Sequence, residues 1–254
     1  MNDLLRSALF YAAALAALLG VCALVRPLPT FLYRTRFRAL LAVAAGGIAA
    51  AVLSTTTPMP STVAANRSEL DRFAPTYHFR EMHETRIDAP AARVYAAVKT
   101  VTPDEIALFQ TFTWIRRFGR PAPPGILNAP GRGSILDTAL RSGFLLLAEE
   151  DNREIVFGTL VIRPAGLKIQ DKPTPEGYRL LDAAGIAKAT MNFLVEPIDA
   201  SSSRLVTETR VYATDKNALD TFTPYWLAIY PGSAILRATW LRAIKTRAEG
   251  PDAF

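Results

Sequence analysis

Ile87 to Val98, I-D-A-P-A-A-R-V-Y-A-A-V, is the stretch on which the fold turns. Asp88-Ala89-Pro90 stops whatever precedes it, because proline has no N–H to donate and steers the residue before it out of the helical region. The preceding residues, Tyr77 to Ile87 (YHFREMHETRI), alternate loosely in the two-residue rhythm of a strand. Ala91 to Val98 then begins a helix, so the stretch predicts a strand that turns directly into a helix.

Working outward, Thr102-Pro103-Asp104-Glu105 has the composition of a helix start, with proline in the first turn and acids near the positive end of the dipole. Ile106, Phe109, Phe112, Thr113 and Arg116 recur at helical spacing behind it, which predicts one helix over 103–117. Pro121, Pro123, Pro124, Pro130 and several glycines make 119–133 a loop. Phe144 to Glu150 and Glu154 to Ile162 read as two strands joined by the turn Asp151-Asn152-Arg153. A stretch without clear pattern, with Pro164, Pro173 and Pro175, precedes a second hairpin, Ala187 to Glu196 and Arg204 to Ala213 around Asp199 to Ser203. From Lys216 on, Phe222, Trp226, Ile229, Leu236, Trp240 and Ile244 repeat at intervals near three to four, the stripe of an amphipathic helix. Pro231-Gly232 is expected to kink or break it.

A strand, two short helices, antiparallel strands and a long C-terminal helix, introduced by the Ala-Pro-x-x-x-Val-Tyr turn at 89–95, resemble the helix-grip superfamily. That superfamily includes START lipid-transfer domains, pollen-allergen-like ligand binders and polyketide cyclase/dehydrase-like (SRPBCC) proteins. The resemblance covers 77–249 and departs from many relatives in the longer second helix and the Pro-rich loop after it. It implies an α+β fold in which a curved antiparallel sheet grips the last helix, leaving a space that often takes an apolar ligand. Large side chains or a ligand must fill such a space. The candidate liners are Phe79, His83, Phe157, Met191, Phe193, Trp226, Tyr230 and Trp240. A closed aromatic core is the competing reading of the same stripe.

The N-terminal quarter differs in kind. Ser7 to Val25 (SALFYAAALAALLGVCALV) is nineteen residues without a charge, and as a helix it rises about 28 Å, roughly the hydrocarbon thickness. It is longer than the usual apolar core of a signal peptide and has no small-x-small site before Arg26. Ala39 to Ser54 is shorter and reaches spanning length only with Thr55 to Thr57. Between them, Arg26, Arg34, Arg36 and Arg38 stand without an acid, beside Phe31, Tyr33 and Phe37, which suit the headgroup level. The expected organisation is a transmembrane hairpin over 1–54, a linker over 55–75, the helix-grip domain over 76–250 and a tail over 251–254. The positive-inside rule puts the Arg-rich loop in the cytoplasm and the domain on the extracytoplasmic side of the cell membrane.

The net charge of +6 does not indicate nucleic acid. Residues 1–75 hold seven arginines against three acids, whereas the remaining 179 residues carry 22 basic and 20 acidic groups with both signs interleaved. Cys22 lies in an apolar run, where it acts as a small hydrophobe. No Walker loop, G-x-S-x-G, dinucleotide G-x-G-x-x-G or cysteine cluster occurs, so no cofactor or metal is expected, and the sequence carries no catalytic signature. His78 and His83 are five apart on one strand, hence on opposite faces, and cannot share a metal. The charged groups Asp137, Glu149-Glu150 and Glu208/Arg210 read as solvated faces. The expected partners are membrane lipids and a hydrophobic small molecule, bound without chemistry. A cyclase/dehydratase-like enzyme using His83 or an acid, and a tethered interaction domain without a cavity, are the alternatives.

Overall fold

The computed structural model describes residues 3–116, 120, 133–166 and 174–251. The Pro-rich loop expected over 119–133 falls largely outside the described residues. The chain divides into two compact units, Met1–Pro58 with Leu219–Pro231, and Met59–Ala218 with Gly232–Phe254.

The first unit contains α1 (Asp3–Val25) and α2 (Arg36–Thr55), both long and apolar enough to cross a membrane. Helix α2 reaches that length by starting at Arg36, capped by the Thr35 hydroxyl, rather than by drawing in Thr56 and Thr57. The two helices approach closely at glycine. A Cβ on Gly46 would stand 2.6 Å from the Ala13 carbonyl oxygen, and one on Gly20 would stand 2.8 Å from that of Ala39. Arg6 is buried and donates to the Leu53 carbonyl at 2.9 Å and to that of Thr56, so its cation meets the carbonyl end of α2. Trp226 and Tyr230, expected to line a ligand space, belong to this unit. Trp226 packs between Phe222 and Tyr230 and donates its indole N–H to Asp3.

The second unit is built on a five-stranded antiparallel sheet in the order β3 (Phe79–Ile87), β7 (Ser203–Ala213), β6 (Ala187–Pro197), β5 (Glu154–Ile162), β4 (Leu145–Glu150). Both expected hairpins form, and the opening stretch behaves as read, with β3 ending at Ile87 and α4 (Ala91–Thr100) following Pro90. The helix expected over 103–117 is interrupted. A 3₁₀ turn at Pro103–Glu105 closes on the Thr102/Glu105 capping box, and α5 (Phe109–Arg116) starts afresh after Leu108 at φ +63°. The last helix, α8 (Lys216–Glu249), keeps Pro224 and Pro231 inside it, so Pro231 does not end it. Its residues from Gly232 on pack on the sheet.

Alternation gives the sheet two faces. Helix α4, α6 (Ile135–Arg141) and the later turns of α8 bury one face through Val94, Val98, Ile135, Phe157, Phe193, Leu205, Leu241 and Ile244. The other face is covered by residues expected to be a linker. Ser61–Thr62 (β1) pairs with Thr76–Tyr77 (β2). Between them, α3 (Glu69–Phe73), closed by a Ser68/Asp71 capping box, packs Leu70 and Phe73 with Leu147, Val156 and Tyr178, the last from α7 (Pro175–Leu180). The linker reading misses this because Ser, Thr and Pro dominate the composition while two apolar side chains do the packing. Glu208 and Arg210, read as a solvated pair, are also buried here. Arg210 bonds Glu208, Asp71 and the Ala74 carbonyl, and Arg80 grips Glu208 with two nitrogens. The strap of residues 67–77 removes them from water, which the sequence pattern of one strand cannot reveal.

Candidate functional site

On the face that meets α8, strand register lines up two rows across the sheet. One runs Glu81, Thr209, Met191, Phe157, and the next runs His83, Thr207, Phe193, Ile155. Each row is polar at the edge strand β3 and apolar at β5. The apolar half is closed. Phe157, Phe193 and Trp240 follow one another in tilted and edge-to-face contacts, with ring centroids 6.3 and 5.0 Å apart and exposures of 2, 0 and 6%. Phe79 is buried as well, and Met191 is half-buried against the same cluster.

The polar half carries an organised network. Glu81, 3% exposed, places one carboxylate oxygen 3.0 Å from Nε2 of His83 and accepts the Ser233 hydroxyl on the other at 2.7 Å. One turn along α8, Arg237 donates to the Thr207 hydroxyl at 2.8 Å and to that of Thr209. The two threonines are the cross-strand partners of His83 and Glu81, so the partly buried Arg237 and the buried Glu81 bring opposite charges to adjacent positions.

Beside this network the sheet and helix part. A cleft of about 330 Å³ opens between the edge of β3 and α8, lined by His83, Glu84, Thr85, Ala238, Leu241, Arg242 and Lys245. The helix residues recur at i, i+3, i+4 and i+7, one face of α8. His83 joins the two features, since it lines the cleft while its ring is held from behind by the buried Glu81. Such an arrangement fixes an imidazole and leaves its second nitrogen free to meet a ligand or carry a proton. Lys245 is tied to the Arg86 carbonyl and to Glu249 at 2.7 and 2.9 Å.

Of the eight expected liners, His83 lines this cleft. Phe157, Met191, Phe193 and Trp240 lie in the core packed on the same face, Phe79 is buried at the start of β3, and Trp226 and Tyr230 lie in the other unit. His78 faces away, as alternation requires, stacking on Tyr212 and accepting the Ala213 N–H. Asp137 sits in the first turn of α6, which Ser134 caps. Glu149 accepts from Tyr95 and Lys99. Glu81, Ser233, Arg237 and Arg242 are the polar residues that the sequence reading passes over. The shared face of Glu81 with His83, two residues apart on a strand, is the signal that could have found the first of them. Among the described residues no cluster of His, Cys, Asp and Glu could hold a metal ion.

Neither a family model nor a curated protein matches the chain. Among solved structures, a protein of Mesorhizobium loti is 14% identical, with 66% of this chain and 95% of its own covered at a TM-score of 0.32. A Thermobifida fusca protein is 14% identical, with coverage of 66% and 92% and a TM-score of 0.30. The Zhui aromatase/cyclase of a Streptomyces species is 14% identical, with coverage of 67% and 93% and a TM-score of 0.27. Such values transfer no activity. The strand order, the register and the C-terminal helix are the chain's own, and they make the sheet-bearing unit an α+β fold of helix-grip type, an antiparallel sheet packed against a long last helix.

Proposed function

We propose that the protein is a membrane-anchored binder of a hydrophobic or lipid-like small molecule, held where the edge strand and the C-terminal helix part. The observation that carries this reading is the cleft itself, an opening between sheet and helix that shares His83 with the organised polar network beside it. His83 is the ligand contact, and Phe157, Met191, Phe193 and Trp240 form the core packed on the same face. The two apolar helices keep the domain beside a reservoir of such molecules, with the Arg-rich loop in the cytoplasm and the domain on the other side. A reporter fused after the last residue, compared with one inserted at Arg34, tests that sidedness. For the binding itself, the full chain is extracted in a mild non-ionic detergent and its retained small molecules are identified by mass spectrometry. Retention by the natural chain and loss in Ala238→Trp, which fills the cleft, are expected. Equal retention by both would remove the cleft from the function.

The Glu81–His83 pair favours a second reading, a cyclase/dehydratase-like enzyme acting on an apolar substrate with His83 exchanging the proton. Unchanged turnover of an identified substrate by His83→Ala would eliminate it.

A further inference from the structure

We infer that the cleft selects an amphiphile with an anionic head, a phosphate or carboxylate on a short apolar body, and that Arg242 is the residue that reads the charge. The inference rests on the cleft being the binding site and deepens that reading by naming the ligand class. Arg242 is exposed, lines the cleft and, among the described residues, takes part in no ion pair or hydrogen bond, although its guanidinium suits bidentate contact with an oxyanion. Lys245, one turn further along, donates to the Arg86 carbonyl and is paired with Glu249, which leaves Arg242 to meet the ligand. The negative groups nearby are already answered. Glu81 is buried and bonded to His83 and Ser233, with Arg237 one strand away. Glu84 also lines the cleft, and its carboxylate reaches Arg204 at 3.4 Å, an arginine it shares with Glu196. Of the charged lining residues, Glu84 and Lys245 are each engaged in an ion pair and Arg242 is not, while Ala238 and Leu241 supply an apolar strip on the same helix face. Its volume, about 330 Å³, is at the lower end of ligand sites and suits a head and a short body rather than two acyl chains.

The test uses the full chain in a non-ionic detergent and compares, by titration calorimetry, hexyl phosphate, hexanol of the same chain length and inorganic phosphate. The natural chain is expected to bind hexyl phosphate at least about ten-fold more tightly than hexanol, the effect of one charge-assisted contact. That preference is expected to collapse in Arg242→Gln and to survive in part in Arg242→Lys, which keeps the charge and loses the bidentate fork. Arg242 is exposed, so neither change disturbs packing. Equal binding of hexyl phosphate and hexanol would overturn the anionic-head inference and leave the apolar site standing. Binding of neither would overturn both. Inorganic phosphate binding as tightly as hexyl phosphate would identify a free anion as the ligand and overturn the amphiphile.

Discussion

The Asp71 carboxylate and the Arg210 guanidinium meet at 2.8 Å with only 8% and 6% of their side chains exposed. One belongs to the strap that follows the two apolar helices and the other to an inner strand of the sheet. Their contact, reinforced by Glu208 and Arg80, fastens the strap to the outer face.

Removing one partner of such a buried pair strands the other. Asp71→Ala is expected to cost about 3–5 kcal/mol, whereas an exposed pair such as Arg153–Glu150 is expected to cost about 0–1 kcal/mol when broken. Urea midpoints of the full chain in detergent, followed by tryptophan fluorescence, check the contrast. Equal shifts would show that the strap is not held by this pair.

Acid should release the same face. Burial alone would push Asp71 and Glu208 up, but the Arg67 backbone N–H and Arg210 at the first, and Arg80 and Arg210 at the second, hold both carboxyls below the usual range. Groups with lowered native values contribute stability above the ordinary carboxylate range and lose it as pH falls through the lowered values. Glu154 runs the other way. Burial raises it despite its bonds from Asn192, Glu69 and Leu70, so its ionisation costs stability as pH rises through the window above its ordinary value. Stability measured against pH should therefore fall below about pH 4, and Asp71→Asn should flatten that fall. A variant with an unchanged acid limb would count against the assignment.

Gly158 lies against the ring of Tyr178, whose hydroxyl reaches the Ala189 carbonyl at 2.9 Å and the Thr190 hydroxyl. A Cβ at 158 would stand 2.8 Å from two ring carbons, and the ring cannot retreat without giving up those bonds. Gly158→Ala should destabilise by about 1–3 kcal/mol, and much of the loss should vanish in a Tyr178→Ala background. Thermal unfolding of the three variants tests the coupling.

Trp240 combines a full aromatic contact with Phe193 and a buried indole N–H that has no partner. Phenylalanine keeps most of the contact and removes the unsatisfied donor, so Trp240→Phe should remain within about 1.5 kcal/mol of the natural chain. Trp240→Ala should lose about 3–5 kcal/mol. Comparable losses for both would mean that the N–H is satisfied in solution.

The strand-to-helix turn at Ile87–Val98, both hairpins and the stripe of α8 are legible because each is written in neighbouring residues: a proline, a two-residue rhythm, a turn, a repeat every three to four. Helices α3, α6 and α7 are five to seven residues long, too short to show a period, and announce themselves only through caps such as Ser68-x-x-Asp71 and Ser134-x-x-Asp137. The break before α5 has no glycine to mark it, because Leu108 itself takes the positive φ. At the site, His83 can be named from its residue type. Glu81 looks like any solvent-facing acid in an alternating strand, and its partner Ser233 is 152 positions away, a juxtaposition that only the folded register creates.

Strand β3 comes first among the five and pairs with the last, Phe79 opposite Val211 and Ile87 opposite Ser203. On a chain emerging from the ribosome, it must stay unzipped until the final strand has been made, long after the apolar hairpin has emerged. The sheet therefore completes late and by long-range closure, a slow route that exposes an unpaired template during synthesis. A chaperone that shields nascent strands has its natural client in this interval, and truncations that end before Ser203 should accumulate as aggregates rather than as shorter folded domains.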